Sequence, residues 1–303
     1  MRRNIVIIGA NGQLGSDLMR LWPGVVPGEQ PVGLTHADIE VSDPDSVRAA
    51  LAPLGPLVVV NTSAYHKVDV VESTPERAFA INATGPRNLA LACRDLDAVL
   101  IHLSTDYVFS GKKGAPYRED DPVDPVNVYG VSKAAGEMLI RYSWPKHFIV
   151  RSSGLYGLAG PSGKGSNFAE LMLRLAVSGQ PIRVVDDQVL TPTPTHCLAM
   201  QIATLSRANR FGTYHATCQG QCSWYEFAKA IFELCELSPD LSPQSTTQSG
   251  AVALRPSRSV LDNRNLALLG DDRMPPWKTG LQQYLALRVV GLGNREARAL
   301  ANA

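Results

Sequence analysis

Four short runs of apolar, largely β-branched residues punctuate the first half of the chain: Asn4-Ile-Val-Ile-Ile8, Leu57-Val-Val-Val60, Ala98-Val-Leu-Ile-His-Leu103 and His147-Phe-Ile-Val150. None alternates strictly between polar and apolar, so each predicts a strand covered on both faces, as in a parallel sheet. Val32-Gly-Leu-Thr35 fits a further strand. Between these runs the apolar spacing turns helical. Ser16-Asp-Leu-Met-Arg-Leu-Trp22 follows the first strand, and Ser42-Asp-Pro-Asp-Ser-Val47 has the form of a helix start, with Ser42 or Asp43 as cap and Pro44 in the first turn. Residues 75–94 keep helical periodicity, with a break expected at Gly85-Pro86. The alternation of strand and helix predicts an α/β fold, a Rossmann-type doubly wound parallel sheet that binds ligands at the carboxyl ends of its strands.

The second half is patterned less regularly. Helices are expected at 168–177, about 195–206 and 224–237, the last with Ser223 as cap, and a strand at Ile182–Val185. Residues 238–251 read as loop, and a short helical region closes the chain. The glycine- and serine-rich stretch 152–166 has the composition of a lid or substrate loop. This divides the chain into a dinucleotide-binding domain at 1–151, with a returning segment at about 182–206, and a smaller C-terminal substrate-binding region made of 152–181 and 207–303.

Composition narrows the partners. A chain of 303 residues with 45% apolar content can bury a full core. A net charge of +1 with 19% charged residues shows no basic surplus for nucleic acid and no acidic tail, so a small-molecule site is expected. Five cysteines without a C-x-x-C pair point to reduced thiols. Cys218 and Cys222, with His215 nearby, are the one grouping with a metal-like spacing, and no metal is predicted. No run of 18 apolar residues occurs and the amino end passes directly into a strand, so neither signal peptide nor membrane span is expected and the cytoplasm is the default setting.

Candidate chemistry begins at Gly9-Ala-Asn-Gly12-Gln-Leu-Gly15, set between the first strand and the first helix. Gly9 would permit the tight turn, Gly12 a close backbone approach to a pyrophosphate, and Gly15 close helix packing, while the helix N-terminus favours negative charge. The spacing differs by one residue from G-x-G-x-x-G, and a glycine-rich turn without ligand is the alternative. The cofactor-binding set is Gly9, Gly12, Gln13, Leu14 and Gly15, then Asp38 and Ile39 towards the adenosine, then Ser63, Ala64 and Tyr65 after the third strand. No acidic residue stands directly at the end of the second strand, so NADH and NADPH both remain open.

The fourth strand ends in Ser104-Thr105-Asp106-Tyr107, polar residues where such folds keep their chemistry. Tyr129-Gly-Val-Ser-Lys133 then opens a helix, and positions four apart share a face. A lysine beside a tyrosine favours the phenolate, lowering its pKa from roughly 10 towards working pH. A second pair, Tyr142 and Lys146, has the same spacing but encloses Pro145, which breaks a helix.

These residues resemble the extended short-chain dehydrogenase/reductases and, within them, the dTDP-4-dehydrorhamnose reductases. The resemblance runs through Gly9 to Gly15, Asn61 to Asp69, Ile81-Asn82, Ser104-Thr-Asp-Tyr-Val-Phe109, Val128 to Lys133 with Gly136-Glu137, Asn167-Phe168, Asp187-Gln188 with Pro192-Thr193, Ser223-Trp-Tyr225 and Arg255-Pro256. It implies hydride transfer from NADPH or NADH to the C4 keto group of a nucleotide-linked 4-keto-6-deoxysugar. Tyr129 would be the proton donor, Thr105 the second hydrogen-bond donor and Lys133 the group that binds the nicotinamide ribose and tunes the phenol. Substrate contacts would come from Thr105, Asp106, Tyr107, Tyr129, Asn167 and Arg255, unless Asp106 is a turn cap and Arg255 an ordinary ion pair. A homodimer is compatible with this family, but the acidic pair of a magnesium-bridged interface cannot be identified. The chain departs from the family pattern at Gly154, where a tryptophan is expected, at His66-Lys67 and at Cys197. Within the same superfamily the alternatives are an epimerase or dehydratase with tightly held NAD. A further alternative is a non-catalytic relative such as the regulatory beta subunit of methionine adenosyltransferase.

Overall fold

Apolar runs covered on both faces need a layer of helices on each side, and the computed structural model, which describes residues 4–159 and 166–301, provides both. Six strands, β1 (Ile5–Ile8), β2 (Pro31–Leu34), β3 (Val58–Asn61), β4 (Val99–Thr105), β5 (His147–Ser152) and β6 (Gly212–His215), form one parallel sheet in the order β6-β5-β4-β3-β1-β2. The order reverses between β1 and β3, and a crevice opens there at the carboxyl ends.

Alternate residues of each strand supply the two faces. Ile5, Ile7, Val58, Val60, Ile101, Phe148 and Val150 pack with Leu14, Leu18 and Trp22 of helix α1 (Gln13–Val25). On the other face, Val6, Ile8, Val59, Leu100 and Ile149 pack with Val47 and Leu51 of α2 (Pro44–Leu51) and Leu89 and Cys93 of α3 (Gly85–Asp95). Ile140 of α4 (Val128–Ser143) joins that second face. Each such fully buried side chain contributes about 1.5–3 kcal/mol over an exposed one. Asp43 caps α2 through Asp45 N–H, so the second of the two candidate caps is the one used.

A separate apolar cluster lies in the C-terminal half. Met172 of α5 (Phe168–Ala176) and Cys197 of α6 (Thr195–Leu205) meet Phe227 and Ile231 of α7 (Trp224–Leu234), with Leu281 and Tyr284 of α8 (Trp277–Ala301). The Ser223 hydroxyl and the Glu226 carboxylate form a reciprocal capping box at the start of α7.

Several elements differ from the sequence expectation. No break occurs at Gly85-Pro86. Instead Ala80–Thr84 forms a π-helical turn, and Pro86 sits in the first turn of α3, where a missing N–H costs nothing. The stretch expected as loop contains Leu241–Gln244, paired in parallel with Ile182–Val185, so the latter strand lies outside the large sheet. Its companion α6 packs on α1, where Thr195 Oγ1 donates to Asp17 Oδ2 at 2.6 Å. Gly212-Thr-Tyr-His215 closes the large sheet as β6, although no strand was expected there. The terminal helix α8 is long rather than short. Of the glycine- and serine-rich stretch, residues 160–165 lie outside the described residues, while Leu155–Tyr156 pairs with Thr193–Pro194.

Candidate active site

The Gly9 to Gly15 turn is built on close approaches. Gly9 has φ +79°, in the left-handed region, and its N–H donates to Leu34 O at 2.9 Å, tying the turn to β2. A Cβ on Gly15 would stand 2.1 Å from Gly9 O. Gly15 therefore packs α1 against the turn and does not line the cleft. Gly12 precedes α1 without any side-chain cap, so the first N–H groups of the helix keep their donors.

These residues line one wall of a cleft of about 820 Å³. The cleft brings together most of the expected set: Gly9, Gly12, Gln13, Leu14, Ile39, Ser63, Ala64 and Tyr65 on one side, and Thr105, Asp106, Tyr107, Tyr129, Lys133 and Asn167 on the other. The loop carrying Tyr65 is fixed by Asn82, whose Oδ1 accepts from Tyr65 N–H at 2.8 Å and whose Nδ2 donates to Tyr65 O at 2.9 Å. Asn82 also donates to Ser132 Oγ at 3.0 Å, and a Cβ on Gly136 would lie 2.2 Å from Asn82 O. The cofactor-side loop and the tyrosine helix are thereby locked together.

At the centre, the Tyr129 ring meets Tyr107 edge to face at 5.8 Å, with the Thr105 hydroxyl close to the Tyr129 phenol. Burial pushes the Tyr129 phenol up to about 12, and Thr105 offsets this only in part. The lowering expected from Lys133 is not what the structure shows. Lys133 Nζ donates instead to Leu103 O at 2.7 Å and lies 3.2 Å from His102 Nε2, and burial brings the amine down to about 8 against the pull of Glu137. Tyr129 is thus a neutral proton donor across the working range. The rival Tyr142 is 90% exposed beyond this site, and Lys146 pairs with Asp97 at 2.6 Å.

Asp106 is buried and committed. Oδ2 accepts from Ser153 at 2.8 Å and Ser259 at 2.5 Å, and Oδ1 accepts from Thr105 at 3.1 Å. Burial raises its carboxyl to about 6 despite these bonds. It braces the cleft floor between three segments. Asn167 caps α5 through Glu170 N–H and donates to Gly157 O at 2.7 Å.

Three of the expected residues stand outside the lining of the cleft. Asp38 turns back to accept from Thr35 N–H and Oγ1 at 2.8 and 2.7 Å, as a turn cap away from the cleft. Arg255 forms a two-pronged ion pair with Asp69, at 2.7 and 3.1 Å, and also interacts with Tyr107, which lines the cleft. Gly15 acts through packing, as above. His66 lines the cleft, with Nδ1 3.2 Å from Ala64 O, whereas Lys67 stands before the short helix Val68–Glu72. Gly154 has φ +56°, and a Cβ there would meet Leu190 Cδ1 at 2.7 Å, so a tryptophan would be strained and crowded. His215 faces Tyr117 O and Asp262 O, and among the described residues no His, Cys, Asp or Glu cluster has metal-binding geometry.

Sequence reasoning missed Thr35, His36 and Arg77 at one end of the cleft and Phe168 and Trp224 at the other. Arg77 stacks over the Tyr65 ring at 5.0 Å, and the Phe168 and Trp224 ring centroids are 4.6 Å apart. Their positions just after β2 and at two helix starts were the available signals.

Known proteins resemble this chain along nearly its whole length. The RmlD substrate binding domain family matches residues 2–289. The spore coat polysaccharide biosynthesis protein SpsK of Bacillus subtilis is 40% identical, over 94% of this chain and 97% of that protein. The dTDP-4-dehydrorhamnose reductase of Streptomyces griseus is also 40% identical, over 92% and 91%. The crystal structure of dTDP-4-dehydrorhamnose reductase from Bacillus anthracis in complex with NADP superposes with a TM-score of 0.89 at 36% identity, covering 94% of this chain and 99% of that one. A match along nearly the whole length of the chain places it in the RmlD substrate binding domain family.

Proposed function

We infer that the protein is an NAD(P)H-dependent reductase that converts the C4 keto group of a nucleotide-linked 4-keto-6-deoxysugar to an alcohol, with dTDP-4-dehydrorhamnose as substrate and dTDP-rhamnose as product. The observation that carries this is the convergence of Tyr129, Thr105 and Lys133 on one cleft that begins at the Gly9 turn. The residues present fit a dinucleotide. A Cβ on Gly9 would meet Thr62 Oγ1 at 2.7 Å, the first N–H groups of α1 are uncapped, and the buried Gln13 Oε1 has no hydrogen-bond partner among the described residues. A reduced nicotinamide held there supplies the hydride.

The chain's own groups then act on the carbonyl oxygen. Tyr129, held neutral by burial, donates its proton as negative charge develops, and Thr105 donates a second hydrogen bond once its hydroxyl turns from Asp106 to the carbonyl oxygen. Lys133 lines the same cleft, and in its ammonium form it favours the phenolate left after donation. The flat Phe168 and Trp224 faces at the far end suit the base of a nucleotide sugar. The division into a dinucleotide-binding part at 1–151 and a substrate-binding part at 152–181 and 207–303 belongs to this proposal, as do a cytoplasmic setting, consistent with five unpaired thiols, and a homodimer. No helix among the described residues is long and apolar enough to cross a membrane. Purified protein given dTDP-4-dehydrorhamnose with NADPH, and separately NADH, tests the reaction by loss of nicotinamide absorbance. No oxidation with either would refute the substrate.

A further inference from the structure

One buried polar residue inside β4 has no part in the chemistry above. His102 is fully buried, with Nδ1 3.1 Å from Asn61 Nδ2 and Nε2 3.2 Å from Lys133 Nζ. The direction of each bond is fixed from outside. The Ser63 backbone N–H donates to Asn61 Oδ1 at 3.0 Å, and the Ser63 hydroxyl does so at 2.6 Å. A backbone N–H can only donate, so the Asn61 oxygen faces Ser63 and its amide nitrogen faces the ring. Nδ1 must then accept, which leaves the ring proton on Nε2, pointing at Lys133. A charged ring would set a second donor at Nδ1 against the Asn61 amide, and burial, with Lys133 and His147 nearby, also holds its pKa well below the usual value. An ammonium has three donors and no lone pair, whereas a neutral amine can accept.

We propose that His102, locked as its Nε2–H tautomer by Asn61 and Ser63, is a positioning residue that points its ring N–H at Lys133 Nζ and so lets the lysine give up its proton more readily than it would beside an acceptor. This rests on the role assigned to Lys133 above. The other groups around the amine do not reverse the balance. From α4, Tyr129 is neutral, and Glu137 favours the ammonium but already receives Arg151, Arg141 and Ser104. After β4, Asp106 is held by three hydroxyls, and from β5 Arg151 is spent on Glu137 while the His147 ring bonds Trp144 O.

Two measurements test the proposal. In the 15N-labelled protein without cofactor, long-range correlation spectra of the histidine rings should show His102, assigned by the signal lost in His102→Gln, as the Nε2–H tautomer. An Nδ1–H ring or an imidazolium would overturn it. Asn61→Asp offers a carboxylate to the ring, so it should flip the tautomer, let Nε2 accept from the ammonium and move the basic limb of the kcat/KM profile up by about one pH unit or more. It also assigns His102 if the glutamine variant does not fold. A flipped ring with an unmoved limb would contradict the link to Lys133. A wild-type protein with the expected tautomer but no reductase activity would sink the proposed function and leave the tautomer standing.

Discussion

Arg151 grips Glu137 with both ends of its guanidinium, Nε to Oε1 at 2.9 Å and Nη2 to Oε2 at 2.7 Å, and both side chains are buried. The pair joins β5 to the middle of the tyrosine helix, and Ser104 adds β4 through a 2.6 Å bond to the same carboxylate. It sets where Tyr129 and Lys133 stand relative to Thr105. Arg151→Met leaves that carboxylate buried without its main partner, so a loss of about 3–5 kcal/mol is expected, read from urea denaturation of the variant against wild type.

The same carboxylate gives an acid limb to stability. Burial alone would raise the Glu137 carboxyl, but the bonds from Arg151 and Ser104 and the charges of Arg151 and Arg141 outweigh it and hold the pKa below the ordinary range. Its stabilisation is present above the unfolded pKa, roughly 4.3, and is lost as pH falls through the lower folded value. Glu137→Gln should flatten stability against pH on that acid side. An unchanged slope would show that the carboxylate is not the group responsible.

Asp106 should act with the opposite sign. Its folded carboxyl is raised to about 6, so the folded state holds the proton more tightly than the unfolded chain, and stability falls as pH rises from roughly 4 to about 6. Asp106→Asn should remove this falling component when unfolding is measured across that window. The variant also leaves Thr105, Ser153 and Ser259 with a poorer acceptor, so kcat should drop with it.

Thr105→Val removes one of the two donors aimed at the carbonyl oxygen while keeping the shape of the side chain. A fall in kcat of about 10²–10³ is expected, with KM little changed. A variant that altered KM alone would place Thr105 in binding rather than in the transition state.

Gly15→Ala probes a residue that packs without lining the cleft. A Cβ 2.1 Å from Gly9 O has to displace backbone, so a loss of about 1–3 kcal/mol of stability and weaker cofactor binding are expected together, by thermal unfolding and by titration with NADPH.

What could be read in the sequence follows from where the determinants lie. Strands β1, β3, β4 and β5 announce themselves because burial on both faces demands unbroken apolar runs. Gly212-Thr-Tyr-His215 and Leu241-Ser-Pro-Gln244 are short and mixed in polarity, so pairing with a neighbour already in place, not their own pattern, makes them strands. The glycine turn and the Tyr129 helix were legible as local motifs. Asp38 was misplaced because a turn three residues long, closed on Thr35, satisfies it locally. The ion pair of Arg255 was illegible for the opposite reason, since its partner Asp69 lies 186 positions away. Lys133 was found, but not its bond to His102, because the histidine sits inside an apolar run and reads as core.

The most direct test of the reductase account follows nicotinamide absorbance with dTDP-4-dehydrorhamnose and NADPH or NADH, comparing wild type with Tyr129→Phe. The account predicts oxidation of one reduced cofactor per sugar reduced by the wild type, and a rate lower by a factor on the order of 10² or more when the phenol is removed. A phenylalanine variant as fast as the wild type would contradict it.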